Sequence, residues 1–159
     1  MARTSEFDEA GARFLAAGRI AVTGVSRTPG SHGGNAVYVG LRKAGFDVVP
    51  INPAATEVEG DPAYPDLAAV PGGVAAVVVA TAPSQVAATV DQAVRLGVGY
   101  LWMHRTIDAG SVDEAAAARA REAGIEVLVG GCPLMHRDAG DRGHRVMCGV
   151  LRVLGRVPR

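Results

Sequence analysis

The chain has 159 residues, 48% of them apolar and 20% charged, which suits one domain with a sizeable core. Lys plus Arg and Asp plus Glu both total 16, so no net field recruits a nucleic acid or a membrane surface. Two cysteines make no disulfide framework, no leader pattern opens the sequence, and no apolar run reaches the roughly 18 residues that cross a bilayer; a reduced, cytoplasmic protein is expected.

Phe7, Ala10, Phe14 and Leu15 recur at helical spacing, with Thr4 or Ser5 as the N-cap, so residues 1–18 are read as a helix packing on the domain. Arg19–Val25 is the first strand, and GVSRTPGSHGG, residues 24–34, is a Gly-rich loop. Asn35–Ala44 follows as a helix that stops at Gly45, where a left-handed cap is easy for glycine. Phe46–Ile51 is the second strand, closed by Asn52-Pro53. Residues 52–69 form the longest irregular stretch and are expected to lie over a pocket. Val74–Ala80, built on Val77, Val78 and Val79, is the third strand, and Ser84–Leu96 is a helix ending at Gly97. Tyr100–His104 is the fourth strand, Ser111 caps an alanine-rich helix that ends at Gly124, and Ile125–Val129 is the fifth strand. Residues 136–159 read as an Arg-rich helical extension. Val146, Met147, Val150, Leu151 and Leu154 share one face, and Arg145, Arg152 and Arg156 the other.

Strands that are apolar throughout are buried on both faces, and helical crossovers between them make the sheet parallel. Right-handed crossovers, with a switch point after the first strand, predict a doubly wound, five-stranded, Rossmann-like α/β sheet of order 3-2-1-4-5 over residues 19–135.

The chemistry concentrates after the first strand. A side chain at Gly24 would obstruct the turn, and Ser26 offers a hydroxyl to a phosphate oxygen. Gly30, Gly33 and Gly34 let backbone N–H groups approach an anion at the start of the Asn35 helix, and Arg27 and His32 add charge. Glycines also make ordinary turns; the position between a strand and a helix is what favours phosphate binding. A nicotinamide enzyme usually carries an acid at the end of the second strand for the ribose diol, whereas here the strand ends in neutral Asn52.

At this point the chain resembles the small, single-domain CoA-binding protein family, which is related to the CoA-binding part of succinyl-CoA synthetase α subunits. IAVTGVSRTPG at 20–30, GNAVYVGLRKAGFDVVPINP at 34–53, GDPAYPDLAAVP at 60–71, LGVGYLWMH at 96–104 and AGIEVLVGGCPLM at 123–135 carry the resemblance. It implies CoA or acyl-CoA lying across the carboxyl ends of the strands. Gly24, Ser26 and Arg27 would meet the pyrophosphate, with Val25, Gly33, Gly34 and Asn35 also in the binding site. Asn52 and Pro53 would lie near the adenosine, and Thr81, Ala82 and Pro83 would line the pocket. Relatives often carry a lysine after Asn-Pro where this chain has Ala54; Arg27, Arg42 or Lys43, the only lysine, is then the replacement base.

Further candidates sit at the same edge. Arg105 suits a phosphate or carboxylate clamp, and His104 is a neutral-pH acid or base. Cys132 follows the fifth strand, where a thiol could meet the ligand or act as a nucleophile; packing as a small apolar group is preferred, because no base can be paired with it. Cys132-x3-His136 and His144-x3-Cys148 have zinc-ligand chemistry on loose spacing, and no metal is assigned. Trp102 is read as core.

No Ser-His-Asp order, phosphate-binding G-x-x-x-x-G-K-[ST] or H-E-x-x-H appears, so the reading is a binder of a small nucleotide ligand without an assembled catalytic set. The alternatives are an NAD(P)-dependent oxidoreductase and an interaction module using the Arg-rich last helix. The sequence leaves a homo-oligomer open.

Overall fold

The computed structural model describes residues 5–30, 33–105 and 110–139, together with Val146, Val150, Val153 and Leu154. Helix α1 (Glu6–Ala16) precedes strand β1 (Ile20–Val22), helix α2 (Gly33–Lys43) and strand β2 (Val48–Pro50). A two-stranded hairpin, β3 (Glu57–Val58) with β4 (Asp61–Pro62), comes next. Strand β5 (Ala76–Val79), helix α3 (Val86–Arg95), strand β6 (Tyr100–Met103), helix α4 (Glu114–Glu122) and strand β7 (Glu126–Val129) complete the βα alternation. The main sheet is five-stranded and parallel throughout, a Rossmann-like α/β architecture.

The strand order corrects the sequence expectation. Numbering only the five sheet strands along the chain, it is 2-1-3-4-5 rather than 3-2-1-4-5. β5 pairs with β1 and β6 and is buried at all four residues, as the most uniformly apolar run should be. β2 takes the edge, where Val48 and Val49 are half-buried and Pro50, which has no N–H to donate, is tolerated. The direction of winding therefore reverses between β1 and β5, and a crevice opens beyond their carboxyl ends.

Alternation along the strands splits the core in two. Ile20, Val22, Ala76, Val78, Trp102 and Leu128 face α1 and α2, with Phe14, Tyr38 and Leu41. Ala21, Val77, Val79, Leu101 and Met103 face α3 and α4. Trp102 is a core residue, edge-on to Phe7 and Phe14 at 5.5 and 5.4 Å, and its indole N–H donates to the Gly130 carbonyl at 2.9 Å.

The helix ends refine the sequence reading. Ser5 caps α1 by accepting from the Asp8 N–H at 3.2 Å, while Thr4 lies outside the described residues. Asp113, not Ser111, caps α4: its carboxylate accepts from the Ala116 N–H at 2.9 Å, in the geometry a helix starting at Glu114 requires. α2 begins at Gly33, two residues earlier than the periodicity indicated, and β1 stops at Val22 because Gly24 turns the chain with φ of 72°. Val146, Val150, Val153 and Leu154 are exposed; Arg145, Met147, Leu151, Arg152 and Arg156 lie outside the described residues. No helix among the described residues is long and apolar enough to cross a membrane.

Candidate functional site

The crevice at the reversal holds a cavity of about 540 Å³, within the range of small-molecule sites. Its floor is the loop after β1. A Cβ built on Gly24 would stand 2.0 Å from the Ala80 carbonyl oxygen at the end of β5, and one on Gly34 would stand 2.6 Å from the Gly24 oxygen. The loop is thus pressed between the end of β5 and the first turn of α2, and only glycine fits either place. Thr23 braces the same junction: its hydroxyl donates to the Val78 carbonyl at 3.1 Å and accepts from the Ala80 N–H at 3.2 Å.

Asn35 is fully buried in the first turn of α2 and holds Ser26 by both backbone groups. Its Oδ1 accepts from the Ser26 N–H at 2.8 Å, and its Nδ2 donates to the Ser26 carbonyl at 3.0 Å. The Ser26 hydroxyl accepts from the Thr28 N–H at 3.2 Å, which leaves its own proton for a ligand. Asn52 does equivalent work after β2. Its Nδ2 donates to the Val25 carbonyl at 2.8 Å, and its Oδ1 accepts from the Ala54 N–H at 2.7 Å, an Asx turn that fixes Pro53. Thr81 follows β5; its Oγ1 is buried with no hydrogen-bond partner among the described residues, while its carbonyl accepts from the Ser111 hydroxyl at 2.6 Å. Thr81 lines the cavity, but its hydroxyl has no surface open to it, so the orphaned group is a local cost and not a ligand contact.

Gly24, Val25, Ser26, Asn52, Pro53 and Thr81 therefore line one cavity, with Gly34 and Asn35 behind them. Arg27, Gly33, Ala82 and Pro83 are exposed and outside that lining. Arg27 makes no ion pair among the described residues. Arg105 and Cys132 stand apart from the cavity. The Arg105 N–H donates to the Gly131 carbonyl at 3.0 Å, and Cys132 is buried in the α1–α2 core beside Leu134 and Met135. The His104 ring lies against α2, with Cε1 3.2 Å from where a Cβ on Gly33 would be. His136 is buried and ties α1 to the chain after β7: Nδ1 accepts from the Asp138 N–H at 3.2 Å, which places the proton on Nε2, 2.9 Å from the Asp8 carbonyl. His144 and Cys148 lie outside the described residues.

Two features escaped the sequence. Gln85, Thr89 and Gln92, spaced at i, i+4 and i+7, present one face of the α3 segment to the cavity opposite Pro65 and Leu67, and Gln92 Oε1 accepts from the Leu67 N–H at 3.3 Å. The irregular stretch contains the β3–β4 hairpin, clamped onto α2. Asp61 accepts from the Tyr38 hydroxyl at 2.5 Å and from the Arg42 guanidinium, which also donates to the Glu59 carbonyl at 2.9 Å. The Tyr38 bond, then Arg42, holds the Asp61 carboxyl below the usual carboxylate range, while burial and the Asp61 bond push the Tyr38 phenol up. Arg42 is thereby committed to the hairpin. Lys43 ends α2, roughly 15 Å from its first turn at about 1.5 Å per residue. Of the three bases considered as replacements for a lysine at position 54, Arg27 is the one placed in the loop.

Parallel strands, a winding reversal and a cavity opening there define the class: a doubly wound α/β domain of ligand-binding type. Residues 18–138 match the sequence model of the family described as CoA binding domain, and the chain belongs to that family. A hypothetical protein from Pyrococcus horikoshii OT3 superposes with a TM-score of 0.73 at 27% identity, over 94% of this chain and all of its own (100%). A protein from Thermus thermophilus does so with a TM-score of 0.68 at 27% identity, over 80% and 93% of the two chains. The dinucleotide-forming acetyl-coenzyme A synthetase 1 of Ca. Korarchaeum cryptofilum, solved with phosphate and ADP, matches 73% of this chain at 30% identity and a TM-score of 0.64; the match spans 26% of the synthetase. No curated protein matches the chain by sequence.

Proposed function

We propose that the chain binds CoA or an acyl-CoA in the crevice beyond β1, β2 and β5, with its pyrophosphate at the Gly-rich loop. The observation that carries this is the cavity itself, which gathers Gly24–Ser26, Asn52–Pro53 and Thr81 from three separate loops. Ser26 has a hydroxyl proton to donate, and the first turn of α2 brings N–H groups that have no partner within the helix and a partial positive charge. Arg27, exposed at the rim, supplies the cation for a phosphate in place of the lysine that Ala54 replaces. Asn52 acts by holding the two loops together, since both of its side-chain polar atoms are engaged. Cys132 belongs to the core in this reading, and Arg105 lies outside the cavity.

The ligand-binding role needs no reaction, and none is assigned. Mass spectrometry of ligand released from the freshly purified, denatured protein tests the reading. A mass of CoA or an acyl-CoA is expected; a nicotinamide dinucleotide released instead would overturn it in favour of a Rossmann-type oxidoreductase.

A further inference from the structure

Glu59 makes a contact that ligand binding, as described above, does not use. Glu59 and Gly60 are the two-residue tip of the β3–β4 hairpin, with φ of 50° and 81°. Such tips favour asparagine or glycine, and Glu59 is the only non-glycine among the described residues with positive φ. A glutamate kept in a strained backbone conformation points to a use for its side chain.

The carboxylate is aimed. Arg42 holds the Glu59 carbonyl and the Asp61 carboxylate, and the Tyr38 hydroxyl holds Asp61 as well, so the tip is fixed against α2. From there Glu59 Oε1 accepts from the Gly30 N–H at 3.1 Å and from Asn35 Nδ2 at 2.7 Å. These two bonds, the Asn35 one first, hold the carboxyl below its ordinary range, so it is charged at neutral pH. Asn35 uses its other bonds on Ser26, which lines the cavity. A carboxylate oxygen held by a glycine N–H of this loop is the chemical equivalent of a phosphate oxygen held there.

We propose that Glu59 is a resident competitor for the ligand's phosphate: its carboxylate occupies the Gly30 N–H of the Gly-rich loop and the Asn35 amide behind it, and a phosphate ligand displaces it. The proposal rests on the CoA reading and adds to it the residue that sets how strongly an anion is held. The Arg42–Asp61–Tyr38 clamp keeps the hairpin in place, so displacement is a rotation of the Glu59 side chain. Asn35 keeps its grip on Ser26 throughout, because those bonds do not pass through Glu59. A single weak anion is excluded, whereas a ligand with several anchoring groups is admitted.

The test titrates CoA into the wild type, Glu59→Gln and Glu57→Gln at one salt concentration, with the melting temperature of each recorded without CoA. Glu59→Gln keeps the shape and an acceptor oxygen but removes the charge; Glu57 is exposed on the same hairpin. Glu59→Gln is expected to bind CoA about five- to tenfold tighter, on the scale of removing one nearby like charge, while Glu57→Gln stays within about twofold of wild type. Binding detectable only in Glu59→Gln also supports the competitor. Glu59→Gln binding CoA equally or more weakly, with a melting temperature equal or lower, overturns it and makes Glu59 a brace of the loop. Failure of CoA to bind all three proteins overturns the CoA reading itself, and the competitor with it.

Discussion

Gly24→Ala adds one methyl group, and its effect can be worked from the structure. The new Cβ would lie 2.0 Å from the Ala80 oxygen, 2.5 Å from its carbon and 2.9 Å from the Thr81 nitrogen, all backbone atoms with no side-chain rotation to relieve them. The loop must move off the end of β5 by about 1 Å to restore ordinary contact. The residue also sits at φ of 72°, which costs a Cβ-bearing residue roughly 1–2 kcal/mol before any clash. Gly45→Ala isolates that second cost, since Gly45 has φ of 90° and nothing within 4 Å of its built Cβ. Overpacking typically adds about 1–3 kcal/mol, so Gly24→Ala should lose roughly 2–5 kcal/mol in all. For a chain of this size that lowers the melting temperature by roughly 4–20 °C, against a few degrees for Gly45→Ala. Thermal denaturation followed by circular dichroism reads both, and calorimetry on the folded fraction should show CoA affinity reduced more than tenfold in Gly24→Ala alone. Equal melting temperatures for the two variants, with equal CoA affinity, would refute the close approach of the loop to β5.

Arg27→Ala should weaken CoA tenfold or more, taking a charge-assisted bond as about 1.5–3 kcal/mol, with a smaller loss for dephospho-CoA if the guanidinium meets the 3′-phosphate; titration of both ligands reads this. Thr81→Val should stabilise the protein by about 1 kcal/mol, because it removes a buried orphan hydroxyl, and leave CoA affinity within about twofold; melting curves with and without ligand read both. Cys132→Ser should leave CoA affinity within about twofold, as expected of a core thiol outside the cavity, while lowering stability by placing a hydroxyl in apolar surroundings. Asp61, whose carboxyl is held below the usual range by Tyr38 and Arg42, stabilises the fold above its unfolded pKa and loses that contribution as pH falls through the folded one. The stability gap between wild type and Asp61→Asn, measured by urea denaturation, should therefore narrow between roughly pH 5 and pH 2.

The parallel α/β class was legible because each strand is an apolar run and each crossover keeps helical period, signals that depend only on neighbours in sequence. Strand order was not, since Val48–Pro50 and Ala76–Val79 carry similar apolar runs and only pairing decides which lies at the edge. Pro50 was the local cue that β2 could not be central. The need for glycine at position 24 was readable from the turn, and the 2.0 Å approach of a built Cβ to the Ala80 oxygen gives its steric reason. Glu59 and the α3 face of Gln85, Thr89 and Gln92 were not readable, because each acts across 24 or more residues or from a helix assigned only to packing. Ser111 looked like a helix cap from its place before the alanine run; its hydroxyl instead reaches the Thr81 carbonyl, a contact made by the sheet and invisible in the local sequence.

Calorimetric titration of the wild-type protein with CoA and, separately, with NAD tests the central claim most directly. β2 ends in Asn52, whose side chain is tied to Val25 and Ala54 and offers no carboxylate to a ribose diol. CoA should bind with a saturable heat at one site per chain and raise the melting temperature, with NAD at least tenfold weaker, on the order of 1.4 kcal/mol or more. NAD binding as tightly as CoA, or more tightly, would contradict the account.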